Sequence, residues 1–271
     1  MILTPTSGFI KQAGFTHSLT PARNCTFGCT YCYVPTMRIQ GGLQREDWER
    51  WGQFTTFKPD ASKRVSKELR PDQIIYCSPL TDPYQPAEKG AAVMPAILEA
   101  LIRNPPQLLT IQTRGPLILR DLPALIRLAE RTKLRVSFSV TTNSEDVRKL
   151  YEPHCAPFME RLRVISELRA AGIIVFATLA PILPCDPELL AEALVAATQN
   201  DIIGDGLHHR STKQRGATTR DAAFKISDHH EYSQWHLPAF QAEISERLKH
   251  RVEALGKRFG TGYSAFAWLA Q

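Results

Sequence analysis

NCTFGCTYCY, residues 24–33, carries three of the chain's six cysteines, Cys25, Cys29 and Cys32, within eight positions. Thiols spaced this way have few uses. A structural zinc site takes four ligands, often as two close pairs. The remaining cysteines, Cys77, Cys155 and Cys185, are remote, so a zinc reading has to recruit His17 as the fourth ligand. A disulfide framework wants an even number and an oxidising compartment. Three cysteines merely packed into a core do not sit together in a glycine-containing loop. An iron–sulfur cubane suits the set better: thiolates are its usual ligands, and three of them on four irons leave one coordination position open for chemistry.

The segments around this loop set its place in a fold. Short apolar runs at 73–78 (QIIYCS), 108–113 (LLTIQT), 134–140 (LRVSFSV) and 172–181 (GIIVFATLAP) read as strands, and 201–207 (DIIGDGL) as a further one. Between them, helices are predicted near 87–103, 120–131, 157–171 and 186–198, the last capped by Asp186 before Pro187. Near-continuous hydrophobic strands separated by helices imply a parallel sheet covered by helices. A strand near THSLTPARNC comes first and feeds the cysteine loop. About six β/α units predict a partial or complete barrel, with its site at the C-terminal strand ends and the cysteine loop on that face. Residues 1–207 form this barrel, and 208–271 are expected to pack on it as a helical extension of the same domain, with a final helix over 237–255.

Bulk properties narrow the classes. The 271 residues are 43% hydrophobic and 22% charged, enough for a sizeable core, and the net charge is +6. The N-terminal MILTPTSGFIKQAG lacks a basic stretch followed by an apolar run, and the longest apolar run, 173–183, is too short to cross a bilayer. The expectation is a cytoplasmic protein with reduced thiols and no membrane partner.

CTFGCTYCY has the form Cys-x3-Cys-x2-Cys with an aromatic before the last cysteine. It resembles the signature loop of the radical S-adenosylmethionine (radical SAM) superfamily. SPLTDPYQPAEK at 78–89, TRGPLILRDLPAL at 113–125, SFSVTT at 137–142, YEPHCAPFMERLRVISELRAAGI at 151–173 and APILP at 180–184 resemble the spore photoproduct lyase-like branch. The similarity runs over roughly residues 15–185. It implies a partial (β/α)6-type TIM barrel holding a [4Fe-4S] cluster on Cys25, Cys29 and Cys32. The open iron is chelated by S-adenosylmethionine. Reductive cleavage then gives a 5′-deoxyadenosyl radical that abstracts hydrogen from substrate, with a flavodoxin or ferredoxin as electron donor.

Polar groups at the strand ends are the candidates to hold the second cofactor. Tyr31 or Tyr33 packs against adenine; the alternative is ordinary loop packing. Ser78, Thr81 and Asp82 follow the second strand; Asp82 suits a ribose hydroxyl or an ammonium, although TDPY is also good turn chemistry. Arg114 stands where the resembled branch shows lysine and suits the methionine carboxylate. Ser139 matches another cofactor-contacting position. Cys77, one residue before Ser78, is the expected hydrogen-atom donor, with Cys185 after PILP as a weaker one; each also reads as a small buried hydrophobe. Cys155, before a helix, reads as structural.

The resemblance does not fix a substrate. The basic stretch with Arg210, Lys213, Arg215 and Arg220 suits phosphate contacts, and a solvated loop is its plain alternative. A nucleic-acid base or lesion is the expected substrate. A small molecule or peptide is the alternative, and a non-catalytic iron–sulfur or zinc protein used for binding or redox sensing is the alternative of another class.

Overall fold

The computed structural model describes residues 1–208 and 218–271. Arg210, Lys213 and Arg215 therefore lie outside the described residues. The strands are β1 (Leu3–Pro5), β2 (His17–Leu19), β3 (Ala22–Arg23), β4 (Thr56–Phe57), β5 (Ile74–Cys77), β6 (Leu108–Thr113), β7 (Lys133–Ser139), β8 (Ile174–Leu179), β9 (Ile202–Gly204) and β10 (Phe259–Thr261). Eight form one sheet in the order β1-β2-β5-β6-β7-β8-β9-β10; β3 and β4 pair separately. From β2 to β10 every pairing in the large sheet is parallel, and β1 adds an antiparallel edge. This is the expected α/β architecture, a mostly parallel sheet with helices. The sheet's two ends, β1 and β10, are not paired with each other among the described residues.

Two predicted features differ in detail. The first strand splits into β2 and β3 at Thr20–Pro21, since proline offers no N–H to a ladder. The C-terminal region contributes more than helices: β10 pairs with β9 in register Phe259↔Ile202 and becomes the seventh parallel strand.

Alternation along the strands sorts side chains into two faces. One face meets the helices Val93–Arg103, Leu122–Ala129, Phe158–Ala170, Pro187–Thr198 and Pro238–Ala254. Its core includes Ile75, Cys77, Ile111, Val136, Val175 and Ile202 from the strands, against Ile97, Leu128, Ile165 and Leu194 from the helices. Each fully buried aliphatic side chain here contributes about 1.5–3 kcal/mol. The other face is concave. Its lower half is apolar, with Phe15, Tyr76, Leu108, Phe176 and Ile203 packed on Phe266 and Leu269 from the C-terminal segment. Thr110 Oγ1 donates to the Leu269 carbonyl at 2.6 Å, which fixes that segment inside the sheet's curve.

The loop after β5 is pressed against the end of β6. A Cβ on Gly115 would lie 2.2 Å from the Tyr84 carbonyl oxygen, so only glycine permits the contact. Gly115→Ala is expected to cost about 1–3 kcal/mol through forced backbone displacement. Thermal unfolding measures it, and an unchanged melting temperature would show that the two loops do not meet so closely.

Candidate active site

The cysteine loop leaves β3 through Asn24, which is fully buried with φ +60°. Asparagine tolerates this left-handed conformation because its short amide bonds locally. Asn24 Oδ1 accepts the amides of Cys25 (2.7 Å) and Gly52 (2.9 Å), and Nδ2 donates to the carbonyls of Asp47 and Arg50. Gly28 and Gly52 cross so closely that a Cβ on Gly52 would sit 2.8 Å from Gly28 Cα. Gln85 ties the loop after β5 to the same place, its Oε1 accepting from the Thr26 amide (2.7 Å) and the Thr55 hydroxyl (2.5 Å). Thr30 N donates to the Tyr151 carbonyl at 2.9 Å. Bonds from three separate segments thus hold a loop that has little regular structure of its own.

Beneath it lies a largely buried charged network. Glu152 is fully buried. Its Oε1 accepts from the Tyr31 hydroxyl, from Arg114 Nη1 and from Thr141 Oγ1 at 2.9 Å; its Oε2 accepts from Arg161 Nη2. Burial pushes the Glu152 carboxyl up, but Arg161, Arg114 and Tyr31 outweigh it and hold the group down at about 2. Arg161, itself buried, also donates to the Ala156 and Ser139 carbonyls. Arg114 continues the concave face beyond β6. Its Nη1 lies 3.4 Å from Cys29 Sγ, and its guanidinium sits over the Tyr31 ring at 5.7 Å.

The three thiols share this environment. Cys25 and Cys29 are buried and Cys32 nearly so. Burial raises Cys25, with Asp82 adding to it, and pushes Cys32 up to about 12. Cys29 goes the other way, lowered by a hydrogen bond with Cys155 and by the cations Arg114 and Arg161 against the effect of burial. Cys155, read from sequence as structural, stands at the site with its Sγ 3.9 Å from Cys29 Sγ. Among the described residues, the metal-capable group whose ligand atoms lie within 4.8 Å of one another is Cys29, Glu152 and Cys155; His17 is not in it. Four donors already use both Glu152 oxygens, so the carboxylate orients its neighbours and is not a free ligand. Three cysteines on one tethered loop, with two arginines beside them, fit a negatively charged iron–sulfur cluster.

The other candidates fall into two groups. Ser78, Arg114 and Ser139 belong to the concave face, as does the row Tyr76, Gln112, Ser139: Tyr76 Oη donates to Gln112 Oε1 (2.7 Å) and Gln112 Nε2 to Ser139 Oγ (2.7 Å). The hydroxyls of Ser78 and Thr81 lie 3.2 Å apart. Asp82 accepts from Thr113 Oγ1 and the amides of Tyr84 and Arg114, at 2.6–2.8 Å, so its carboxylate fastens two strand-end loops together. Tyr31 lies in the buried network, whereas Tyr33 is 37% exposed and donates to the Pro79 carbonyl. Cys77 is on the opposite face, fully buried in register with Leu19 and Ile111 among the helix-facing residues. Cys185 also packs on that side, near Arg247 and Glu188. Arg220 is close enough to Cys32 to lower its thiol, countering the rise from burial.

A family model for the radical SAM superfamily matches residues 19–191. An uncharacterized protein of Mycobacterium tuberculosis is 29% identical over 175 residues, 63% of this chain and 50% of the relative. One of Methanocaldococcus jannaschii is 26% identical over 177 residues, 64% of this chain and 63% of the relative. The chain spans about half the length of the mycobacterial relatives it matches. Among solved structures, a spore photoproduct lyase point mutant superposes with TM-score 0.63 at 14% identity, covering 96% of this chain and 79% of its own. A spore photoproduct lyase variant with bound AdoMet and dinucleoside spore photoproduct gives 0.59 at 14%, covering 90% and 76%. The methyltransferase TsrM from Kitasatospora setae, with tryptophan and a SAM analogue bound, gives 0.55 at 10%, covering 98% and 61%. These likenesses establish a shared fold.

Glu152 makes the site's stability depend on pH. Its folded value of about 2 lies below the ordinary 4.5, so its contribution is complete above 4.5 and is lost as pH falls toward 2. Glu152→Gln leaves two buried arginines short of charge and is expected to cost about 3–5 kcal/mol near neutral pH. Denaturant titrations of both proteins should show the gap narrowing below pH 4.5; a gap independent of pH would place the carboxylate outside the network.

Proposed function

The chain belongs to the radical SAM superfamily, and on that premise we propose that it cleaves S-adenosylmethionine reductively and takes a hydrogen atom from a substrate held against the concave face of the sheet. Members of this family use a [4Fe-4S] cluster and S-adenosylmethionine, and they need an electron donor. The observation that carries the reading is the convergence of Cys25, Cys29 and Cys32 with Arg114 and the Glu152 network at the C-terminal strand ends. When bound, the cofactor pair supplies one-electron cleavage of a C–S bond and a 5′-deoxyadenosyl radical.

The chain's residues bind, orient and exclude water. Cys25, Cys29 and Cys32 hold the cluster. Arg114 donates toward the Cys29 sulfur, where a cation and an N–H favour the more reduced, more negative cluster. The hydroxyls of Ser78, Thr81 and Ser139 would hold the methionine and ribose parts of the second cofactor. Asp82 acts one step back, holding the loops that present Thr81 and Arg114. Hydrogen return by Cys77 is not part of the proposal, because its thiol faces the helices.

For the substrate we propose a nucleobase or base lesion. Between the apolar lower half and the strand ends the concave face offers a neutral amide, Gln112, which suits the edge of a flat heterocycle. The fold of a protein whose structure holds a dinucleoside spore photoproduct supports the same class. A small molecule or peptide is the competing class.

Two experiments check this. Protein reconstituted with iron and sulfide without oxygen, then given S-adenosylmethionine and dithionite, should yield 5′-deoxyadenosine by mass spectrometry. Cys29→Ala should lose both that product and the broad iron–sulfur absorption. No product from an intact cluster, with damaged oligonucleotides present or absent, would instead favour a binding or sensing protein. Separately, Arg114→Gln should lower the cluster's midpoint potential in a titration followed by electron paramagnetic resonance, and an unshifted potential would remove Arg114 from the cluster's surroundings.

A further inference from the structure

Cys155 is a buried thiol that the chemistry above does not use. It lies on the turn after Glu152, with its Sγ 3.9 Å from that of Cys29. The backbones on both sides are fixed. Cys155 N donates to the Glu152 carbonyl at 3.0 Å, and Arg148 Nη1 donates to the Cys155 carbonyl at 2.9 Å. The cysteine loop is bonded to the same segment through Thr30 N, next to Cys29, and the Tyr151 carbonyl, one residue before Glu152. The two thiols are 126 residues apart in sequence yet share one anchored corner.

The Cys155 side of that corner borders a cavity, with Cys29 Sγ 3.9 Å from the Cys155 sulfur. Cys155 lines a cavity of about 410 Å³ together with Phe27, Lys89, Leu117, Arg148 and His154. A molecule as small as a peroxide fits easily. A disulfide bond is about 2.05 Å long, so side-chain rotation alone has most of the remaining gap to close.

We propose that Cys29 and Cys155 form a reversible disulfide whenever the cluster is not in place, with Cys155 as the resolving thiol for a cluster ligand. The inference rests on the assignment of Cys29 as a ligand. A peroxide is the oxidant. The Cys29 thiolate attacks one peroxide oxygen, the O–O bond breaks, and water leaves as the other oxygen takes protons, giving a sulfenic acid. The Cys155 thiol then attacks that sulfur; the S–S bond forms and a second water leaves. Two electrons pass from the two sulfurs to the peroxide. A dithiol reductant returns both thiols by exchange. The consequence is protection: a ligand sulfur caught as a disulfide does not proceed to sulfinic acid, a state that ordinary thiols do not reverse.

The test reads thiols and needs no turnover. Full-length protein stripped of metal with a chelator is treated with a small excess of hydrogen peroxide, alkylated and digested without reduction. The expected result is a peptide pair joined through Cys29 and Cys155, lighter by two hydrogen atoms than the separate thiols and released by dithiothreitol. In Cys155→Ser, Cys29 should be recovered as sulfinic acid, and iron–sulfur absorption should no longer return after dithiothreitol and reconstitution, although unoxidised Cys155→Ser still takes up the cluster. Circular dichroism confirms that the variant is folded. Full alkylation of Cys155 in the oxidised protein, or its linkage to a different cysteine, would overturn the proposal. Protein that makes no 5′-deoxyadenosine but forms this disulfide would sink the functional reading alone; the reverse pair of results would sink the disulfide alone.

Discussion

A single carboxylate out of reach of water, Glu152, decides where the cysteine loop sits. An isolated buried charge would be driven to its neutral form. Here Arg114 arrives from the end of β6, Arg161 from the helix Phe158–Ala170, Thr141 from the chain beyond β7 and Tyr31 from the cysteine loop itself. The acid stays ionised because four donors meet it, and the four donors hold their places because the acid is there. Removing one member of such a set costs more than the bond lost, since the rest remain buried and unmatched. The arrangement fastens Tyr31, one residue before Cys32, to three different strand and helix ends.

The two faces of the sheet divide the labour. Toward the helices lies an apolar layer that supplies stability. On the concave side the chemistry is graded along the strands: the lower half is filled by Phe15, Phe176, Phe266 and Leu269, while the upper half carries Gln112, Arg114, Ser139 and Thr141. Polar groups are therefore concentrated at the C-terminal strand ends, beside the cysteines. The C-terminal segment closes the opposite end, with Arg135 donating to the Trp268 and Gln271 carbonyls.

The sequence carried the parallel sheet because its strands are near-continuous apolar runs, and it carried the cysteine loop because three thiols so close have few explanations. It did not show β10, whose Phe259–Thr261 is three residues long with a glycine at its centre. Glu152, which ends the helix Glu145–Tyr151, and Arg161, in the first turn of the helix Phe158–Ala170, stayed hidden because charges at helix ends ordinarily face solvent; burial becomes visible only when the helices are docked. Cys77 shows a sharper limit. Side chains alternate across a strand, so a one-residue difference in register moves a thiol from the cavity to the core, and an apolar run with no alternating pattern does not reveal which face is which. Cys155 was unreadable for a third reason: its neighbour Cys29 is brought near only by the fold.

The claim on which all of this turns is that the loop holds a cluster with one iron open to S-adenosylmethionine. Electron paramagnetic resonance of the dithionite-reduced, reconstituted protein tests it directly, recorded before and after S-adenosylmethionine is added. The expected result is a reduced [4Fe-4S] signal whose shape changes when the cofactor binds. A cluster signal indifferent to S-adenosylmethionine, or a protein that binds zinc in place of iron and gives no signal, would contradict it.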